Sequence, residues 1–112
     1  MTFKTTFKIY QPGAAQPEVR EIELPQRPGF HALDELLRPI LGGALEHVGV
    51  LFDNKRCDMF VNELGAVEKL DRNEEATKIY RTVSLQRNSK LNPETLPYIY
   101  GTAVLFERRV WF

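Results

Sequence analysis

The chain has 112 residues, 15 basic and 15 acidic side chains, 43% hydrophobic residues and one cysteine. That length supports one modest core without disulfide or metal staples, and seven glycines and seven prolines exclude collagen-like, coiled-coil and wholly disordered chains. A formal charge of zero argues against a molecule drawn as a whole to polyphosphates, and no apolar run approaches the ~20 residues of a membrane-spanning helix.

The opening MTFKTTFKIY interleaves Lys4 and Lys8 with apolar residues. It has no continuous apolar stretch of the kind a signal peptide requires. Cys57 has no cysteine partner in the chain, which agrees with a reducing compartment, so a cytoplasmic protein without membrane attachment is expected.

Phe3, Thr5, Phe7 and Ile9 alternate with Lys4, Thr6, Lys8 and Tyr10, the period of two of a half-buried strand. Pro12, Gly13 and Pro17 break the chain before EVREIEL, so the pair forms a hairpin. The alternation slips between Val19 and Ile22, which fits either a bulge near Arg20 or an edge strand with one committed face. From Phe30 the spacing changes to three and four, through Leu33, Leu37 and Ile40, and predicts an amphipathic helix. Pro39 is expected to end or kink it, with Gly42-Gly43 as its exit.

ALEHVGVLF and CDMFVN are two further strands, separated by the charged loop Asp53, Asn54, Lys55 and Arg56, in which Asn54 tolerates positive φ. Asp71 or Asn73 then caps a second helix whose first turn holds Glu74 and Glu75 and whose buried stripe is Ala76, Ile79, Tyr80 and Val83. QRNSKLNPETLP predicts an exposed loop near residues 86–97, and YIYGTAVLFERRVWF a long, largely buried strand. The expected architecture is a single α+β domain over residues 1–112. Its order is strand, strand, helix, strand, strand, helix, strand, with a mainly antiparallel sheet and the helices packed on one face.

Certain positions carry a resemblance. These are Leu33, Leu36, Gly42-Gly43, Glu46 and Val48, then Asn62-Glu63-Leu64-Gly65, Leu70, Asn73 and Ala76, and finally Tyr100-Gly101-Thr102-Ala103-Val104. Together they resemble an uncharacterised family of short bacterial and phage proteins, a domain of unknown function. The resemblance covers most of residues 7–106 and implies a common fold but no catalytic residue. The stretch 81–97 and the tail 107–112 depart from the family pattern.

Cys57 with His31 or His47 would make a thiol and its base, but Cys57 alternates with Met59 and Val61, which places it in a core. His31, Asp34 and Glu35 on the first helix, and Glu46, His47, Asp53 and Asp58 around the second hairpin, are metal-ligating residue types. They lack HxH, HExxH or CxxC spacing, so neither metal nor cofactor is assigned. Gly42-Gly43 follows a helix, outside the phosphate-cradling context, and there is no P-loop, dinucleotide fingerprint or nucleophile elbow.

Lys78, Arg81, Arg87 and Lys90 form a basic strip with Tyr80 inside it, which could touch nucleic-acid phosphates. The segment RRVWF places Trp111 and Phe112 where they need cover, either from the domain's own core or in an interface between two copies. These features predict a non-enzymatic binding or accessory domain acting through protein–protein contacts, with self-association through Trp111 or Phe112 as the alternative to their burial in the domain's own core. The alternatives are a nucleic-acid-associated accessory protein using the strip, and a small enzyme with an unrecognised site.

Overall fold

The computed structural model describes residues 1–87, 90, 92 and 96–112, with the side chains of residues 84, 86 and 87 outside that description. Of the exposed loop expected near 86–97, residues 88, 89, 91 and 93–95 lie outside the described residues, while 86 and 87 form the end of a helix instead. The period-two segment forms β1 (Phe3–Tyr10), which buries Thr5, Phe7 and Ile9 on one face. β2 (Glu18–Leu24) returns antiparallel in unbroken register, from Phe3 opposite Leu24 to Ile9 opposite Glu18. There is thus no bulge at Arg20. The slipped alternation belongs to an outermost strand that buries only Leu24 fully.

α1 (Gly29–Leu41) buries Leu33, Leu37 and Leu41 as one stripe. It continues past Pro39 rather than ending there, because a proline in the last turn forfeits only its own amide bond. The helix closes at Gly42, whose φ of 77° lets its amide donate to the Arg38 carbonyl at 2.9 Å. β3 (Leu45–Phe52) and β4 (Lys55–Asn62) are joined by only two residues, Asp53 and Asn54, at φ 52° and 62°. Such a turn matches the strand twist, so Lys55 and Arg56 leave the expected loop and join the ladder opposite Phe52 and Leu51.

α2 (Glu74–Arg87) starts on Asn73, whose Oδ1 accepts the Ala76 amide at 3.1 Å. Its carboxamide also donates to the carbonyls of Tyr10 at 2.8 Å and Gly101 at 2.9 Å, tying the helix start to β1 and to the approach of β5. β5 (Ala103–Phe106) has only four residues, a correction to the long strand expected over 98–112. Before it, Gly101 bends the chain at φ 82°, and after it the amides of Val110 and Trp111 turn to the Asp58 carboxylate instead of a neighbouring strand.

The sheet is antiparallel with strand order β2-β1-β5-β4-β3, so the last strand enters at the centre. The expectation that both helices share a face is also corrected. Phe60, Val104 and Phe106 point into the cluster with Leu33 and Leu37 of α1, whereas Met59, Val61, Ala103 and Leu105 point into the cluster with Ala76 and Ile79 of α2. Central strands apolar on both sides require cover on both sides, and one helix supplies each. Among the described residues no helix is long and apolar enough to cross a membrane.

Candidate aromatic and cationic site at the β3–β4 hairpin

The tight turn at Asp53-Asn54 sets the hairpin register, placing His47 opposite Phe60 and Gly49 opposite Asp58. His47 and Asp58 are thereby diagonal neighbours on the α1 side of the sheet, and Nε2 of His47 lies 2.8 Å from Oδ1 of Asp58. The Asp58 residue is only 5% exposed. A carboxylate so placed needs donors to offset lost hydration, and Oδ2 accepts the amides of Val110 at 2.7 Å and Trp111 at 2.9 Å.

Those two bonds bring the chain back across the sheet and lay Trp111 flat on His47, with centroids 5.0 Å apart and planes 8° from parallel. Trp111 also meets Phe60 at 5.8 Å and Phe30 of α1 at 6.4 Å in edge-on contacts. Phe112 follows, 59% exposed, with the guanidinium of Arg27 at 4.8 Å and that of Arg109 at 5.2 Å from its ring centroid. Arg108 anchors the same segment by donating to the Pro25 and Gln26 carbonyls and to Thr5 Oγ1.

Beside this assembly lies a cleft of about 380 Å³, bordered by His47, Gly49, Arg56, Asp58 and Arg109, with Cys57 and Val83 completing it. A carboxylate holding an imidazole is the arrangement by which an acid–base histidine is oriented. Among the described residues no nucleophile joins it. Strand alternation sends the Cys57 side chain to the opposite face from Asp58, into the cluster with Val50 and Met59, where the residue is 3% exposed. Burial pushes its thiol pKa up from 9.0, against the smaller downward pull of Lys55, so the ordinary state is the unreactive thiol.

The other sequence candidates scatter. Of the basic strip, Lys78 pairs with Glu75 one turn earlier at 3.3 Å, and Arg81 lies against the Tyr98 ring while donating to the Leu96 carbonyl at 2.9 Å. Lys90 is exposed, and the side chain of Arg87 lies outside the described residues. On α1, Asp34 takes two bonds from Arg38, and His31 lies 3.9 Å from Glu35. Glu46 is exposed, Asp53 sits in the turn, and among the described residues no three His, Cys, Asp or Glu side chains converge as a metal site would require.

The patterns in the letters named His47, Asp58, Trp111 and Phe112 but did not join them, they gave Phe30 only as part of an apolar helical spacing, although it is exposed, and they passed over Arg27 and Gly49. The hairpin register was the signal available for the His47–Asp58 pair. No family model matches the chain, and neither the curated proteins nor the solved structures contain a match.

Proposed function

We propose that the chain is a cytoplasmic, non-enzymatic binding or accessory domain whose contacts are made by the face built from Phe30, Trp111, Phe112 and Arg27. The observation that carries this reading is the exposure of Phe30 and Phe112, each 59%, on either side of the half-buried Trp111. Aromatic rings with adjoining arginines are the composition of interface hot spots, and ring contacts hold these side chains in place before any partner arrives.

Charge selects the partner. Among the described residues neither Arg27 nor Arg109 has a carboxylate partner, so the occupant is a protein segment presenting Asp or Glu beside an apolar side chain. Kinship with the short bacterial and phage family is proposed on the same footing. Its support is that the resembling residues hold turns here: Gly42 closes α1, Asn62 donates to the Leu41 carbonyl at 3.2 Å, and Asn73 caps α2.

A peptide array tests the reading. Peptides pairing Glu or Asp with Phe, Leu or Trp should bind, more weakly as salt rises, and Phe112→Ser or Phe30→Ser should cost at least about tenfold in affinity. Sedimentation of the same variants distinguishes a second copy as occupant, since a dimer lost with Phe112→Ser would replace the peptide as the partner. Binding of the arrayed peptides unchanged in both variants would overturn the proposal.

A further inference from the structure

The cleft beside His47 adjoins the aromatic face, sharing His47 and Arg109 with it, and adds a chemistry of its own. His47, Gly49 and Leu51 on β3 and Arg56 and Asp58 on β4 share one side of the sheet by strand alternation. Gly49, opposite Asp58, leaves that side open: a Cβ built there meets nothing within 4 Å, and its backbone is not in the left-handed region. No close neighbour and no unusual φ explain a glycine in mid-strand, where it forfeits packing and is commonly a place of close approach by a ligand.

The charge around the opening is one-sided. Among the described residues Asp58 is the sole acid lining it, and both its oxygens are committed, Oδ1 to His47 and Oδ2 to two backbone amides. Arg56 and Arg109, both exposed, have no carboxylate partner among the described residues. Leu51 supplies apolar lining on the same side, and Val50 and Val83, from the α2-side cluster, border the cleft from the other. At about 380 Å³ the space falls in the range of small-molecule sites, which combine an apolar wall with a few convergent polar groups.

We propose that this cleft binds a small organic anion, a carboxylate or phosphate on a compact apolar body. Its charged end meets the guanidiniums of Arg56 and Arg109, whose planar forks suit two acceptor oxygens, and its body lies over Gly49 against Leu51. The site shares Arg109 with the protein-binding face, while Gly49, Leu51 and Arg56 belong to the cleft and neither Phe30 nor Phe112 lines it.

The test is a titration of isotopically labelled protein with benzoate and with phenyl phosphate, followed by amide chemical shifts, with benzyl alcohol as the uncharged control. At least one anion should give saturable shifts centred on Gly49, Leu51 and Arg56, about tenfold tighter than benzyl alcohol. Gly49→Val fills the space with a residue that suits a strand and should abolish the shifts. Arg56→Gln, at an exposed position, should weaken binding about fivefold or more without disturbing the fold, while Phe30→Ser, at a residue that lines no part of the cleft, should leave it intact. Neither anion saturating, binding no tighter than benzyl alcohol, or shifts that survive both Gly49→Val and Arg56→Gln would overturn the proposal.

Discussion

Asp58 Oδ2 accepts the Val110 amide at 2.7 Å, a bond between residues 52 positions apart that joins the middle of β4 to the segment beyond β5. With the Trp111 amide on the same oxygen and His47 on the other, one buried carboxylate organises the whole aromatic face.

Replacing Asp58 should therefore be felt at a distance. Asp58→Ala leaves the Val110 and Trp111 amides and the His47 ring without their acceptor, and a loss of about 3 kcal/mol is expected, by the cost of orphaned buried donors. Trp111 is the chain's one tryptophan, so its fluorescence reports the segment alone. The emission should shift to the red in Asp58→Ala under native conditions and less in Asp58→Asn, which keeps an acceptor oxygen. An unshifted spectrum would show that the stack on His47 holds Trp111 without the carboxylate.

Asn73 concentrates a different set of bonds. It is 1% exposed, and its side chain satisfies the Tyr10 and Gly101 carbonyls as well as the Ala76 amide. Asn73→Ala should lower stability by about 3 kcal/mol, measured by denaturant unfolding, more than the ~1 kcal/mol of a helix cap alone. Asn73→Asp should recover only the capping share, because a carboxylate cannot donate to two carbonyls.

How much of this arrangement the letters reveal depends on the range of the interaction. Asp53-Asn54 is a local turn signal, and once it is taken as two residues the pairing of β3 with β4 follows, with His47 and Asp58 brought together. The capping role of Asn73 is local in the same sense. By contrast, the continuous apolar run from Ala103 to Phe106 shows a buried strand but not that α1 and α2 would divide its two faces, since that depends on where β5 inserts among strands distant in sequence. The tail resembled more strand because Val110, Trp111 and Phe112 are residue types favoured in strands. Tertiary bonds to Asp58 overrode that preference, and Arg27 and Phe30 joined Phe112 and Trp111 only through the folded chain.

Two glycines should respond oppositely to alanine. At Gly101 the backbone sits at φ 82° and an added Cβ would lie 2.8 Å from Leu70 Cδ1, so Gly101→Ala should cost about 1–2 kcal/mol through backbone strain and displacement of Leu70. At Gly49 neither obstacle exists, and Gly49→Ala should be neutral or stabilising by up to about 1 kcal/mol. Thermal unfolding of the two variants side by side checks the contrast, and a destabilised Gly49→Ala would show that the open side of β3 is filled in solution.

Cys57 offers a test that separates a core thiol from a reactive one. Burial in the α2-side cluster raises its pKa from 9.0, so alkylation by iodoacetamide at neutral pH should be at least about tenfold slower than for an exposed cysteine and should accelerate with denaturant. The same shift carries a stability consequence of definite sign. Because the unfolded thiol ionises first, the folded state keeps its full advantage below pH 9 and loses it as pH rises toward the folded value. Tyr10, raised from 10.0 chiefly by burial, adds to the loss at higher pH. Unfolding free energy should therefore fall above pH 9, and the slope there should be shallower in Cys57→Ala, judged against that variant's own stability at neutral pH. Rapid alkylation of the native protein would show that the α2-side cluster opens around Cys57 instead of burying it.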